Sequence, residues 1–247
     1  GLYGLRPSHG RVPVEGMLAQ APASDTAGWL AREGRIFARV GAALIDERPA
    51  AAPTGLHLAA DAFAFADPGA REALGPALSR LETLVGRGAE TTLAPSGLPA
   101  WARAQRLLQL AEAWETFRPW VETRAPRFSF LVARTLMAGA ATPAAELPGA
   151  RLVRDEARGR LRELTRGGAL VALPATPGAA PPKGMSLPET DRARDRINAL
   201  CALGGLTGHP VLVLPAGEME GAPIGLAVVG ARGADAALLA LAEAWEG

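Results

Sequence analysis

One short apolar run constrains the fold more than any other feature of this sequence. Residues 169–174, Ala-Leu-Val-Ala-Leu-Pro, contain no polar side chain. A strand with one face in water alternates apolar and polar residues, whereas an uninterrupted apolar run needs cover on both faces. We therefore predict a central strand here, buried on both faces of its sheet. The Pro- and Gly-rich residues 175–188 that follow predict a long loop at the end of that strand.

Strand and helix patterns alternate along the rest of the chain, which favours an α/β fold. Apolar segments predict strands at residues 1–5, 12–14, 56–64, 90–93, 211–214 and 224–229. Helical periodicity predicts helices at residues 29–45, 70–85, 151–166, 190–204 and 235–245, and a long one through residues 107–121. Asp25 or Thr26 is expected to cap the first helix and Asp235 the last. Residues 48–55 should end the first helix, and Pro119 should kink or split the long one.

Length and composition limit the function classes. At 247 residues with 49% hydrophobic and 21% charged residues, the chain is expected to form one domain with a real core, or most of one. A net charge of +1 offers no field for nucleic acid or anionic lipid, and no apolar stretch approaches the roughly 20 residues that span a bilayer. The single Cys201 excludes an internal disulfide and fits a reducing compartment, so we expect a cytoplasmic location.

The residues alone indicate no catalytic constellation. The three histidines, His9, His57 and His209, are far apart in sequence, so no metal site and no cofactor are expected. No nucleophile elbow or phosphate loop occurs among the serine and glycine motifs. We interpret Cys201 as a small buried residue on the inner face of its helix, and His209 as a hydrogen-bonded loop residue. The alternating charges of residues 151–166 are typical of a solvated helix face.

Longer motifs nevertheless resemble a known family. Residues 1–11, Gly-Leu-Tyr-Gly-Leu-Arg-Pro-Ser-His-Gly-Arg, followed by Ala-Pro-Ala-Ser-Asp-Thr-Ala-Gly-Trp-Leu-Ala-Arg at 21–32, resemble the segment after the nucleophile in the amidase signature family. Residues 173–177, 206–217 and 223–230 resemble later landmarks of that family, in the same order. The resemblance covers essentially the whole chain. Residues 113–120 and 126–128 are further similar to small amidases related to plant indole-3-acetamide hydrolases.

The resemblance implies a fold and a mechanism. The fold is a large, twisted, mixed β-sheet flanked by helices, and the mechanism uses a Ser, cis-Ser, Lys triad that forms an acyl-enzyme. In the family all three residues precede the Gly-Leu-Tyr-Gly strand. We therefore expect residues 1–247 to be the carboxy-terminal portion of a single amidase domain, with its amino-terminal part missing and no catalytic residue of its own. Lys183, the only lysine, lies far downstream of the family's lysine and is not expected to be the base.

The resemblance also suggests a substrate wall. In this fold the loop after residues 173–177 and the helix that holds Asn198 border the acyl pocket, so we nominate Thr176, Pro177, Met185 and Asn198 as substrate-binding residues. The expected substrate is a small neutral amide, and the parent protein is a possible homodimer. The alternative is a non-catalytic amidase-like scaffold that binds a partner.

Overall fold

The structure is a computed structural model that describes residues 1–45 and 52–246. Seven strands form one mixed sheet in the order β2-β1-β6-β7-β5-β3-β4. They are β1 (Tyr3–Arg6), β2 (Trp29–Ala31), β3 (Leu56–Ala59), β4 (Gly88–Thr91), β5 (Leu170–Pro174), β6 (Val211–Met219) and β7 (Ala222–Val229). Only the β3–β4 and β3–β5 pairs are parallel among these seven strands. The expected α/β class with a mixed sheet flanked by helices is confirmed.

The helices cover this sheet on both faces. They are α1 (Gly34–Leu44), α2 (Ala60–Phe65), α3 (Ala70–Ala73), α4 (Gly75–Val85), α5 (Leu98–Arg124), α6 (Phe130–Ala140), α7 (Leu147–Leu164), α8 (Leu187–Thr207) and α9 (Asp235–Ala244). Short 3-10 turns lie at Ala144–Glu146 and Arg166–Gly168. Along the described residues, no helix is both long and apolar enough to cross a membrane.

The central strand β5 shows why cover is needed on both sides. All five of its residues are buried. Leu170 and Ala172 join a core with Phe37, Leu81 and Leu238 on one face, which brings α1, α4 and α9 against the sheet. Val171 and Leu173 join a second core with Trp101, Leu161 and Leu203 on the other face, which brings α5, α7 and α8. The continuous apolar run therefore divides its side chains between two cores.

Several boundaries differ from the sequence prediction, and at residue 29 the reason is that strand pairing overrides helical periodicity. The first helix was expected from residue 29, but Trp29–Ala31 pairs with β1 and the helix begins at Gly34. No strand forms at residues 12–14, where Val12 is buried without a ladder partner. The predicted strand at residues 56–64 ends at Ala59. Most of the predicted helix end at residues 48–55 lies outside the described residues.

Helix α5 does not split at Pro119, and the capping role expected of Asp235 is wrong. Helix α5 continues through Pro119 to Arg124. Pro119 and Glu115 are both exposed, so water can bind the Glu115 carbonyl oxygen that proline leaves without a donor. Asp235 does not cap α9, because its carboxylate accepts hydrogen bonds from Ser8 N, at 2.7 Å, and Ser8 Oγ, at 2.6 Å.

Candidate functional site

A polar cleft opens where α5, α8 and the loop after β1 meet. Its volume is about 430 Å³. The polar side chains that line it come from the first 26 residues and from the helices α5, α6 and α8: Arg6, Gln20, Ser24, Asp25, Thr26, Gln105, Arg106, Gln109, Thr135 and Asn198. We call this the polar cleft.

Two consecutive glycines in α8 allow these side chains to come together. A Cβ atom at Gly204 would lie 2.7 Å from Arg6 Cδ, and one at Gly205 would lie 2.7 Å from Gln105 Nε2. The two glycines therefore let the end of β1 and the helix α5 approach the backbone of α8 closely. The pair lies at the end of the predicted helix and inside the observed helix α8, where glycine costs stability, so it was a sequence signal for close packing.

Arg6 is the central charge of the polar cleft. Its Nη2 donates to the Ser24 carbonyl oxygen at 2.6 Å, while its Nε is buried and has no hydrogen-bond partner. Burial lowers the pKa of the Arg6 guanidinium, and the nearby Asp25 carboxylate opposes that shift. A guanidinium at this position can bind a carbonyl or carboxylate oxygen of a ligand.

Asp25 and Glu112 hold the loop that supplies this wall. Asp25 Oδ2 accepts from the backbone N–H groups of Gln20, at 2.7 Å, and Ala21, at 2.9 Å. Glu112, on α5, accepts from Ala23 N at 3.0 Å. Asp25 was predicted to cap a helix, but it stabilises this loop instead. The loop is thereby fixed against α5.

An apolar groove adjoins the polar cleft. It has a volume of about 570 Å³, and Arg6 and Cys201 line both cavities. Its other lining residues come from β1, β2, β6 and β7 and from α8: Leu2, Gly4, Leu5, Gly28, Trp29, Leu30, Ala175, Leu200, Leu203, Val211, Val213 and Ala227. The side chain of Leu30 is 71% exposed. We call this the apolar groove.

Cys201 lies at the junction of the two cavities. It was predicted on the buried inner face of α8, but it is exposed. Its Sγ donates to the Ala175 carbonyl oxygen at 3.3 Å. The surrounding protein atoms raise the pKa of the thiol by desolvation, because they exclude water from one side of it. The thiol is therefore accessible but mostly protonated at neutral pH.

On its other side the polar cleft continues into a charged basin. Ala102, Arg106 and Asn198 line both cavities. In the basin Arg134 donates to both oxygens of Asp191, at 2.9 and 2.8 Å. This hydrogen-bonded pair lowers the pKa of the Asp191 carboxyl. In the basin Arg134 and Asp191 therefore already have partners, whereas Arg6 Nε in the polar cleft does not.

Of the four nominated residues, Asn198 lines two of the three cavities described above and the other three line none of them. Asn198 lines the polar cleft and the charged basin. Thr176, Pro177 and Met185 are absent from the linings of both and of the apolar groove. Thr176 Oγ1 donates to the Gly178 carbonyl oxygen at 2.8 Å, and the Pro177 carbonyl oxygen accepts from Asp67 N at 2.7 Å. Met185 is half-buried in the same loop. The site residues that sequence reasoning missed are Arg6, Asp25 and Gln105.

Among the described residues no cluster of metal-ligating side chains is found, and several serine hydroxyls already donate hydrogen bonds. No group of three or more His, Cys, Asp or Glu side chains among them can hold a metal ion. The hydroxyls of Ser8, Ser96 and Ser186 donate to the carboxylates of Asp235, Glu156 and Glu189. Ser24 Oγ donates to the Ala21 carbonyl oxygen at 3.3 Å. Lys183 is exposed.

Known proteins share both the sequence and this architecture. The chain is 27% identical over 273 residues to Amidase 1 of Oryza sativa subsp. japonica, which covers 98% of this chain and 62% of the rice protein. It is 23% identical over 268 residues to outer envelope protein 64, chloroplastic, of Arabidopsis thaliana, covering 97% of this chain and 45% of that protein. A solved structure described as an amidase superposes with a TM-score of 0.82 at 28% identity, covering 98% of this chain and 57% of that one. The chain thus spans less than two thirds of the length of these relatives.

A model of the Amidase family matches residues 100–239, more than half of the chain. The matched segment contains α5 and α8, which form the polar cleft, and the strands β5, β6 and β7. Family match, relatives and fold agree, and the chain belongs to the amidase family, the amidase signature proteins that its motifs resemble.

Proposed function

We propose that this chain is the carboxy-terminal portion of an amide hydrolase that acts through a Ser, cis-Ser, Lys acyl-enzyme mechanism, with all three catalytic residues upstream of residue 1. Family membership supports the reaction class. The partial coverage of the relatives and the exposed loop position of Lys183 support an upstream triad. The polar cleft and the apolar groove then form one wall of the substrate site.

The proposal about substrate class rests on one observation, that the apolar groove adjoins the polar cleft. A groove lined almost entirely by apolar side chains ends at Arg6 and Cys201, where polar groups begin. An aryl or alkyl acyl group fits the groove, and its carbonyl end would face the polar cleft. A small, neutral, mostly apolar amide is therefore the proposed substrate, of the aryl-acetamide kind that the middle segment of the sequence suggested.

Activity is tested with two proteins, the 247-residue chain and the same chain extended upstream to include a lysine and a Ser-Ser pair. We expect the extended protein to hydrolyse phenylacetamide-type amides and the shorter chain to give no detectable turnover, since rate enhancements of at least about 10⁶ need a nucleophile, a base and an oxyanion hole. Turnover by the shorter chain that disappears when one of its own serines is replaced would contradict the upstream triad.

The substrate wall is tested by substitutions in the active, extended protein. Asn198→Ala should lower kcat/KM for an aryl-acetamide about 10- to 100-fold, the range for loss of a pocket contact, with little change in melting temperature. Arg192→Ala is the control, because Arg192 is exposed on the same helix and does not line the cleft. Met185→Ala tests the loop that we nominated: a lower melting temperature with unchanged substrate preference would remove it from the site.

Ligand occupancy can be measured in the shorter chain itself. Because the sequence has one cysteine, a maleimide labels only Cys201. We expect a neutral aryl-acetamide to slow this labelling, whereas glycinamide should protect far less. Equal labelling rates with and without the aryl-acetamide would show that the groove does not hold it.

The rival function is a partner-binding scaffold without catalysis. Outer envelope protein 64 supports this candidate. It aligns with nearly the whole of this chain, yet it is a longer protein whose name does not describe an amidase. The activity test also decides between the two functions. The scaffold is favoured if the natural upstream segment has no lysine or no Ser-Ser pair and the protein that includes this segment hydrolyses none of the amides.

A further inference from the structure

Another cavity lies at the opposite end of β5 from Ala175. It shares no lining residue with the polar cleft or the apolar groove. It is located where β5 and β6 begin and β7 ends, and its volume is about 430 Å³. Its lining residues are Arg158, Arg162, Thr165, Arg166, Gly167, Gly168, Thr207, His209, Ala231 and Arg232. We call it the arginine pocket.

The arginine pocket concentrates positive charge without a matching negative charge. Arg158 and Arg162 lie one turn apart on α7, Arg166 is in the 3-10 turn that follows, and Arg232 comes after β7. No aspartate or glutamate lines the pocket, and within residues 1–45 and 52–246 none of these four arginines forms an ion pair. The nearby Glu163 binds Arg160 instead, at 2.8 Å.

Two buried nitrogen atoms at this pocket have no partner. His209 is only 4% exposed, and its Nδ1 makes no hydrogen bond. The buried Nε of Arg158 also has none. Buried polar atoms in folded proteins are nearly always paired, so an orphaned histidine nitrogen and an orphaned guanidinium nitrogen at one cavity point to a missing acceptor.

The charges at the pocket act on one another. Burial is the largest influence that lowers the pKa of His209, to about 4, and the charge of Arg232 is the next largest. Arg162 and Arg158 add to this effect, whereas a hydrogen bond to the backbone of Thr207 opposes it. Burial and the neighbouring Arg154 lower the pKa of Arg158, against the opposite effect of the exposed Asp155. A bound anion would favour the charged forms of both groups and would offset the repulsion among the arginines.

We propose that the arginine pocket binds a small phosphate dianion, either inorganic phosphate or a phosphate monoester, through Arg158, Arg162, Arg232 and His209. The guanidinium group is planar and presents paired donors that match phosphate oxygens. A dianion offsets two of the clustered charges, whereas a carboxylate offsets one. The carbonyl oxygens of Gly167 and Gly168 already accept from Thr54, at 2.7 and 3.2 Å, so these two acceptors are occupied.

Binding is measured by calorimetry and by thermal unfolding of the 247-residue chain, with inorganic phosphate titrated at constant ionic strength against chloride. We expect saturable binding and a rise in melting temperature with phosphate but not with chloride. The double variant Arg162→Ala/Arg232→Ala should weaken phosphate binding at least ten-fold. Both side chains are exposed, so this variant is expected to fold. Arg151→Ala, an exposed arginine on the same helix outside the pocket, should bind as the unmodified chain does.

Histidine NMR locates the site independently of affinity. The chain has three histidines, and His57 lies on β3, outside the pocket. Phosphate should shift the ring signals of His209 in a saturable way and leave those of His57 unchanged. Three results would overturn the proposal. Chloride could raise the melting temperature or shift the His209 signals as phosphate does, or the double variant could bind phosphate as tightly as the unmodified chain. The third is that a short single-stranded DNA binds where free phosphate does not.

Discussion

At the scale of single residues, burial of titratable side chains away from water sets their charge state in this protein. Arg6 and His209 are separated by 203 positions in the sequence, yet each is held near the sheet with one nitrogen atom that has no partner. Arg6 faces the polar cleft, where Asp25 partly offsets its burial. His209 faces three arginines, so its neutral form is favoured. Burial and neighbouring charges act on both residues, and they leave Arg6 as a cation in one cavity and His209 as a neutral imidazole in the other.

His209 should make stability depend on pH. Its pKa falls from an ordinary value of 6.5 to about 4 in the folded protein. Between these values the unfolded chain binds more protons than the folded one, so the free energy of unfolding decreases as the pH falls from 6.5 to 4. The loss amounts to at most about 3 kcal/mol, at about 1.4 kcal/mol for each pKa unit. Urea unfolding at several pH values in phosphate-free buffer measures it.

The matched variants for this experiment are His209→Gln and His57→Gln. His209→Gln should flatten the decrease between pH 6.5 and 4, because the side chain no longer titrates. His57→Gln should keep it, since His57 lies outside the arginine pocket. Parallel pH profiles for His209→Gln and the unmodified chain would show that another group controls stability in this range.

At the scale of elements, the close packing of α6 on α5 depends on a glycine at their contact. Helix α6 rests on α5 at Gly139, where a Cβ atom would lie 2.4 Å from the Leu110 carbonyl oxygen and 3.0 Å from Trp114 Cβ. Helix α7 also contains Gly149, where nothing lies within 4 Å of an added Cβ. The same residue type therefore has a packing role in α6 and none in α7.

Alanine substitutions at these two glycines should change stability in opposite directions. Gly139→Ala would push α6 away from the Leu110 carbonyl oxygen of α5. We expect the free energy of unfolding to fall by about 1–3 kcal/mol, as at other overpacked sites. Gly149→Ala relieves the entropic cost of glycine in a helix and should stabilise by about 0.5–1 kcal/mol. Chemical denaturation of both variants gives the comparison. Destabilisation of similar size at both positions would mean that α6 does not pack as closely as described.

At the scale of the whole molecule, a buried hydrogen-bond cluster joins the two ends of the chain. Ser8 is 4% exposed and Asp235 is fully buried. Besides the two bonds from Ser8 to the Asp235 carboxylate, Ser8 Oγ accepts from Gly233 N at 2.8 Å. This cluster fixes the segment that follows β1 to the turn that begins α9, and Arg6, the last residue of β1, lies two positions before Ser8 and lines the polar cleft. The shape of the cleft therefore depends on the carboxy-terminal helix.

Breaking this cluster should destabilise the fold and loosen the cleft. Asp235→Ala leaves the Ser8 N–H and hydroxyl buried without an acceptor, at a cost of about 1–3 kcal/mol for each unsatisfied group. Glu243→Ala, an exposed acid on the same helix, should stay within about 0.5 kcal/mol of the unmodified chain. Thermal unfolding measures the cost, and Cys201 labelling, which should become faster in Asp235→Ala alone, reports the cleft. A melting temperature for Asp235→Ala equal to that of Glu243→Ala would contradict this role.

Local sequence patterns were enough to predict the strand that is buried on both faces of the sheet and the long loop after β5. They also contain the ordered motifs that identify the family. These features depend on neighbouring residues, so a periodicity or a run of apolar side chains is enough to predict them. Tertiary structure alone decided that Trp29–Ala31 is a strand, that Cys201 is exposed, and that arginines from α7 and from the end of β7 surround His209. Each of these outcomes depends on a partner distant in sequence, which sets strand pairing, burial and electrostatic environment without leaving a local periodic signal.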